Sequence, residues 1–338
     1  MKKFIDSAKN QYKANLHCHS TLSDGRMTPV ELKKAYKEQG YSVLAITDHE
    51  HLVEHHDLTE GDFLCLTAYE AHIYTPGRET GRNNGNPTAH LNFYSKKPHN
   101  KMVYYTPDIV YSRFIPDEKK ENLEYYKKVE NRDHSIEFVQ GIVKDAVAAD
   151  YLVCHCHPTW SFEDEDFADA YKDCFAMELY NHSSYTTGFC EYNQHYYDYQ
   201  LRKGRKMAAI AADDNHDVYP LGDPKNDSFG GITYISAERL DYETIINSLE
   251  KKEFYASTGP RIFSIEEENG EFTVKTSAAE RIYFITDTRH RGIEIAKEGE
   301  EINEANFTFG ENDAWVRIEV VDHAGKRAFS RAYFKEEL

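Results

Sequence analysis

Short apolar runs alternate with amphipathic segments through most of the chain. Segments 41–49 (YSVLAITDH) and 151–158 (YLVCHCHP) are typical of buried strands that end in polar residues. Between such runs, segments 28–40 and 134–150 have the apolar spacing of helices. Strands that alternate with helices indicate an α/β fold, in which a parallel sheet or barrel is covered by helices on the outside.

The pattern changes near the C-terminus. Segment 259–338 alternates apolar and polar residues in short runs, and Asn269-Gly270 and Ala324-Gly325 are dipeptides typical of hairpin turns. We therefore predict an α/β barrel over residues 1–258 and a small antiparallel β-sandwich domain over residues 259–338.

One segment of the predicted barrel shows neither the apolar spacing of a helix nor the alternation of a strand. Residues 99–133 are rich in tyrosine and lysine. We expect an insertion near the barrel mouth. A lid and a decorated surface loop remain equal alternatives for it.

Composition narrows the range of partners. The 338-residue chain has a net charge of −18, which disfavours a nucleic-acid backbone as the main partner. No stretch approaches the roughly 18 apolar residues of a membrane span, and the N-terminal segment lacks the apolar core of a signal peptide. The six cysteines show no framework spacing, so we expect them to be reduced. These features predict a cytoplasmic protein with no nucleic-acid or membrane partner.

Polar residues gather where the predicted strands end. His17 and His19 are two positions apart, as are His155 and His157, and Asp214 and His216. Residues i and i+2 of a strand point to the same side, so each pair should share one face. Further candidates at strand ends are Asp24, Asp48, His49, Glu70, His90 and Glu178.

Such a cluster has two explanations. A pair of neutral imidazoles is either packed and hydrogen-bonded or bound to a metal. Many buried carboxylates and imidazoles at one rim need compensation, which divalent metals supply. Oxygen and nitrogen ligands suit zinc, manganese or iron. In a β/α barrel, active sites form at the carboxyl ends of the strands.

The order of these motifs resembles a known family. HCHSTLSDG (17–25), ITDH (46–49), AYEAH (68–72), His90, CHP (156–158) and DDNH (213–216) together resemble the PHP (polymerase and histidinol phosphatase) superfamily. The resemblance covers roughly residues 12–258. It implies a distorted (β/α)7 barrel with a site for two or three metals at its mouth. The later FYASTGP segment and the C-terminal β domain resemble the stand-alone, carbaryl-hydrolase-like branch.

The resemblance also implies roles for individual residues. It places a first metal on His17, His19, Glu70 and Asp214, a second on Glu70, His90 and His157 with Glu70 bridging, and a third on Asp24, His49 and His216. Asp48, Glu178 and His155 are expected to support these ligands from behind. For Glu178, capping a strand end is an equal alternative, and the case for His155 rests on strand alternation alone.

The predicted function is that of a metal-dependent hydrolase. We expect cleavage of a small phosphomonoester or nucleotide by attack of a metal-bridging hydroxide, with Asp214, His216 and Glu70 as catalytic residues. Arg78, Arg82 and His182 are candidates for binding this phosphorylated substrate, and solvated loop positions are the alternative for all three.

Two other functions remain open. One is hydrolysis of an ester, amide or carbamate at the same metal site. The other is a non-catalytic, metal-binding regulatory module. The sequence also leaves a homo-oligomer open.

Overall fold

The computed structural model describes residues 1–74, 87–107 and 109–338. Its strands are β1 (Lys2–Ile5), β2 (Asn10–Asn15), β3 (Val43–Ala45), β4 (Leu64–Leu66), β5 (Ala68–Ile73), β6 (Ala89–Ser95), β7 (Met102–Tyr105), β8 (Tyr125–Lys128), β9 (Tyr151–His155), β10 (Ala176–Asn181), β11 (Ala208–Ala212), β12 (Ile232–Ala237), β13 (Phe254–Ser257), β14 (Ile262–Glu268), β15 (Glu271–Ala279), β16 (Arg281–Thr286), β17 (Arg291–Ile295), β18 (Ile302–Thr308), β19 (Trp315–Val321), β20 (Arg327–Ser330) and β21 (Tyr333–Phe334). Its α-helices are α1 (Pro29–Glu38), α2 (Asp117–Lys120), α3 (Ile136–Ala148), α4 (His182–Thr186), α5 (Gln194–Arg202) and α6 (Tyr242–Glu250). Short 3₁₀ helices cover His56–Leu58, Val110–Phe114, Glu165–Tyr171 and Lys335–Glu337.

Two sheets face each other in the first part of the chain. In one, β2, β3 and β4 run parallel. In the other, the order is β11-β10-β9-β6-β5, with β9, β10 and β11 parallel and β6 antiparallel to both its neighbours. Small and branched apolar side chains from both sheets, such as Ala14, Val43 and Ile210, form one core between them. The predicted α/β fold is confirmed.

The predicted distorted (β/α)7 barrel does not close among the described residues. Among the described residues, the edges of the two sheets meet only at isolated bridges, which include Cys18–Asn215 and His49–Glu70. The ladder stops there because the backbone leaves the extended conformation, as at Asp214, which has φ of 54°. These irregular strand ends lie where the ligand-type residues follow the strands.

Helices cover the outer faces as the apolar spacing predicted. Helix α1 begins after Thr28, whose hydroxyl accepts from Glu31 N while the Glu31 carboxylate accepts from Thr28 N. Its buried face carries Leu32 and Tyr36, and each such side chain contributes about 1.5–3 kcal/mol when fully buried. No helix in the described ranges is long and apolar enough to cross a membrane.

The C-terminal strands form a β-sandwich that shares a sheet with the rest of the chain. Strands β1, β14, β15 and β18 form one layer. The other layer contains β16, β17, β19 and β20, and it continues through β13 and β12 into β2. A core that includes Phe272, Phe284 and Ile318 lies between the layers. Pairing therefore crosses residue 258 twice, through β1–β14 and β13–β20, and the domain boundary stays a prediction.

Candidate metal centre

Four side chains converge where the two sheets meet. His17 and His19 follow β2, Asp214 follows β11, and Glu70 lies in β5. The Nε2 atoms of His17 and His19 are 3.2 Å apart, and they lie 3.1 and 3.0 Å from Asp214 Oδ1. The same two nitrogens lie 3.4 and 3.3 Å from Glu70 Oε2. All four residues are buried.

The spacing of these atoms fits a single metal ion. Four ligands at about 2.0 Å from a tetrahedral ion lie about 3.3 Å from one another, which matches separations of 3.0 to 3.4 Å between the side chains. Glu70 Oε2 and His49 Nδ1 are buried, 3.0 Å apart, and make no hydrogen bond. Unpaired buried polar atoms are costly, and a cation between them removes that cost.

Glu70 presents its two oxygens to different neighbours. Oε2 faces the first group, whereas Oε1 lies 2.7 Å from His90 Nδ1 and 3.6 Å from His157 Nε2. His49, Glu70 and His90 also have ligand atoms within 4.8 Å of one another. Glu70 therefore presents one carboxylate oxygen to each of two groups of ligand-type side chains.

Asp24 brings together a further group at the more exposed side. Asp24 Oδ1 lies 3.5 Å from His216 Nε2 and 3.7 Å from His19 Nδ1, and Oδ2 lies 3.8 Å from His49 Nε2. The Asp24 side chain is 29% exposed and His216 is 24% exposed. The turn requires glycine at position 25, because a Cβ there would lie 2.3 Å from the His19 carbonyl oxygen.

Hydrogen bonds from behind orient the imidazoles. Glu178 Oε1 lies 2.6 Å from His17 Nδ1, and Glu178 Oε2 accepts from the backbone N–H of His157. Asp48 accepts from Ser23 Oγ at 2.7 Å, and Ser23 Oγ lies 3.4 Å from His19 Nδ1. Both arrangements turn Nε2 toward the cluster, as expected of residues that fix a ligand's tautomer.

The electrostatic field of the cluster favours a cation. Burial alone would lower the pKa of His19, but hydrogen bonds with Asp214 and Glu70 and the charge of Asp24 raise it to about 10. Burial likewise opposes charge on His17, but Asp214, Glu178 and Glu70 raise its pKa well above the usual range. A field that holds protons on buried imidazoles also stabilises a divalent ion in their place.

His155 lies apart from the cluster. Strand β9 ends at His155, and His157 has φ of 24°, so the two side chains do not share one face. His155 Nε2 lies 2.6 Å from Glu163 Oε2, and its ring stacks on Tyr171 with centroids 3.5 Å apart. His155 does not share a face with His157, contrary to the prediction from strand alternation, because the strand ends before His157.

Of the three predicted substrate-binding residues, the structure describes one. Arg78 and Arg82 lie outside the described residues. His182 Nδ1 lies 2.7 Å from the Tyr180 hydroxyl, and burial followed by the charge of Lys326 lowers the His182 pKa to about 4. A neutral His182 is a hydrogen-bonding group rather than a phosphate-binding cation.

Two aromatic residues beside the cluster were missed. Tyr111, in the 99–133 segment, stacks on His49 with ring centroids 3.9 Å apart. Trp160 lies 5.3 Å from His90 and 4.9 Å from His157 between ring centroids, and it is 36% exposed. Tyr111 follows no predicted strand end, and Trp160, two residues beyond segment 151–158, is not a ligand-type residue, so the search for ligands at strand ends passed over both.

The fold and this cluster define a class of protein. Residues 15–214 match the PHP domain, and that range contains most of the cluster described above. The chain belongs to the PHP domain family, and its histidine and carboxylate clusters fit a metal-dependent hydrolase.

Individual relatives match less of the chain or match it more distantly. A 5'-3' exoribonuclease of Haemophilus influenzae is 53% identical over 38 residues, which cover 11% of this chain and only 14% of that protein. A two-domain protein from Bacteroides vulgatus, described as containing a predicted PHP-like metal-dependent phosphoesterase, superimposes with a TM-score of 0.45 at 11% identity, covering 97% of this chain and 96% of that one. An amidohydrolase from Chromobacterium violaceum with bound sulfate and no metal has a TM-score of 0.38 at 17% identity, covering 60% of this chain and 87% of that one.

Proposed function

We propose that the protein is a metal-dependent phosphoesterase that cleaves a small phosphomonoester or nucleotide. The observation that carries this proposal is the convergence of His17, His19, Glu70 and Asp214, with Glu70 turned toward a second group of imidazoles. We further propose that two or three ions of zinc, manganese or iron bind there, because the donors are nitrogen and oxygen atoms.

The chain's own residues prepare this site for hydrolysis. Divalent ions bound there would activate water and stabilise negative charge on a phosphoryl group. Glu178 holds a proton at His17 Nδ1, which leaves Nε2 free to bind a cation. His216 donates from Nδ1 to the Asp214 carbonyl oxygen at 2.9 Å, which likewise leaves its Nε2 free toward Asp24.

The mouth of the site supports a substrate with a flat or apolar portion. Tyr111 and Trp160 flank the imidazoles and present rings on which such a group can stack. Arg26 is an exposed cation beside the same rim. Its backbone N–H donates to the His216 carbonyl oxygen at 2.9 Å, which fixes its position there. The short match to an exoribonuclease is a reason to test nucleotides and short oligonucleotides alongside sugar phosphates.

Phosphate release tests the proposal directly. Protein loaded with manganese, zinc or iron is assayed for phosphate release from phosphomonoesters and nucleotides, and for the monoester and alcohol products of phosphodiesters. We expect release that falls at least about 100-fold in Asp214→Asn, because a ligand and its charge are lost. Asp117→Asn is the matched control, since Asp117 is 94% exposed in helix α2, and it should keep full activity.

The metal content of the assayed protein decides how a negative result is interpreted. No hydrolysis of any phosphomonoester, phosphodiester or nucleotide by protein that holds at least two ions per chain would overturn the phosphoesterase proposal. Hydrolysis of esters, amides or carbamates by that same protein would then assign the alternative chemistry. The carbaryl-hydrolase-like branch, the cytoplasmic location and the oligomeric state stay predictions.

A further inference from the structure

A separate group of ligand-type side chains lies outside the candidate metal centre. Glu54, His56 and His99 have ligand atoms within 4.8 Å of one another. Glu54 Oε2 lies 2.5 Å from His99 Nδ1 and 3.5 Å from His56 Nε2. We propose that these three residues form a second, peripheral binding site for one divalent cation of the zinc type.

The third donor distinguishes this group from ordinary surface ion pairs. His195 and His290 also lie 2.6 Å from a carboxylate, but neither belongs to a three-membered group among the described residues. In contrast, His56 Nε2 is buried and makes no hydrogen bond, although it faces Glu54. In the tautomer that carries its proton on Nδ1, this atom offers a lone pair to a cation.

The donor set indicates which cation fits. Two imidazole nitrogens and one carboxylate oxygen are typical of zinc and similar transition metals, whereas magnesium and calcium prefer oxygen donors. Three protein ligands leave one tetrahedral position for water or for an exogenous ligand. Glu54 also lines a cavity of about 380 Å³ together with Asn100 and Met102, so the cation would lie at its rim.

A cation here would connect two segments that reach the candidate metal centre. Glu54 lies on the loop that follows His49 and His56 begins the 3₁₀ helix after it, whereas His99 precedes β7 in the segment that carries Tyr111. Bound metal would tie this loop to the start of that segment. The proposal does not depend on the hydrolase activity.

Zinc binding and local hydrogen exchange test the peripheral site. Equilibrium dialysis against Zn²⁺ followed by elemental analysis counts the ions per chain in the wild type, in the double variant His56→Ala/His99→Ala, and in His195→Ala. We expect one ion fewer in the double variant only. Zinc should also slow hydrogen exchange in peptides covering residues 51–58 and 99–105, and the double variant should lose that effect while keeping the effect on residues 14–24.

A conservative variant keeps the proposal testable if the double variant does not fold. Glu54→Gln keeps the shape of the side chain and removes its charge, and it should weaken binding of the additional zinc at least about tenfold. If the double variant and Glu54→Gln both bind as many ions as the wild type, with unchanged affinity and unchanged exchange near residue 99, the peripheral site does not exist.

Discussion

Glu178 sets the orientation of two residues of the candidate metal centre at once. One of its oxygens faces His17 Nδ1, and the other accepts from the His157 backbone and from Asn181 Nδ2. Both carboxylate oxygens of Glu178 must accept hydrogen bonds, whereas a glutamine side chain has only one oxygen that can accept. The residue therefore acts through His17, and its contribution is to position that ring.

We predict that Glu178→Gln lowers metal affinity about 10- to 100-fold while the protein stays folded. Metal titration of the chelator-treated protein measures this, with circular dichroism as the check on folding. Glu163→Gln is a matched control, because Glu163 is a buried carboxylate that holds His155 away from the cluster. Equal metal affinity in the two variants would show that Glu178 has no positioning role.

Single residues also show what the sequence could predict and what it could not. His17, Glu70 and Asp214 were found because each lies in or just after a recognisable strand. The position of His155 was misjudged because a single left-handed residue, His157, breaks the alternation, and sequence patterns do not reveal that conformation. Tyr111 was missed because its contact with His49 joins distant segments and follows no period.

At the scale of elements, the 99–133 segment is attached to the fold by a buried ion pair. The Arg132 guanidinium makes two contacts of 2.7 Å with the Glu50 carboxylate, and both side chains are 1% exposed. Arg132 also donates to the His72 carbonyl oxygen. A bidentate, fully buried pair leaves a costly charge behind when one partner is removed.

Arg132→Met should lower the free energy of unfolding by about 3–5 kcal/mol, since Glu50 becomes an uncompensated buried charge. Urea unfolding measures the change. Lys97→Met serves as the comparison, because its pair with Asp150 is exposed and should contribute about 1 kcal/mol or less. Similar losses in the two variants would mean that the buried pair is dispensable.

The same segment places Tyr111 over the candidate metal centre. Loss of the ring in Tyr111→Ala should raise KM about two- to tenfold, as removal of an aromatic stack costs about 0.5–1.5 kcal/mol, and Tyr111→Phe should retain most of the affinity. Steady-state kinetics on the best substrate checks this. Tyr126→Ala, at an exposed position in the same segment, should behave as wild type, and an equal KM in both alanine variants would exclude Tyr111 from substrate binding.

At the scale of the whole molecule, the sheet that crosses residue 258 argues against two independent halves. Ala256 pairs with Phe329, and Lys2 pairs with Glu267. The sandwich strands were predictable from their alternation and hairpin turns. Their pairing with strands that precede residue 258 was not, because strand pairing between distant segments leaves no local signal in the sequence.

A chain truncated after residue 258 should be insoluble or largely unfolded, because β1 loses its partner and β13 becomes an open sheet edge. Solubility and circular dichroism test this, and the full chain should unfold in one transition. A soluble 1–258 fragment with its own cooperative transition would instead establish the predicted domain boundary.

The pairing of Asp214 with His17 has a consequence for how the protein is made. The Asp214 backbone N–H donates to the His17 carbonyl oxygen at 2.9 Å, so the first group of ligands forms only after most of the chain is available. Contacts between distant residues raise the contact order, and loop closure of this kind slows folding. His17 and His19 leave the ribosome well before Asp214, one of the two carboxylates that they face. Metal capture is therefore expected as a late event in biogenesis, and refolding should be limited by chain topology rather than by the supply of ions.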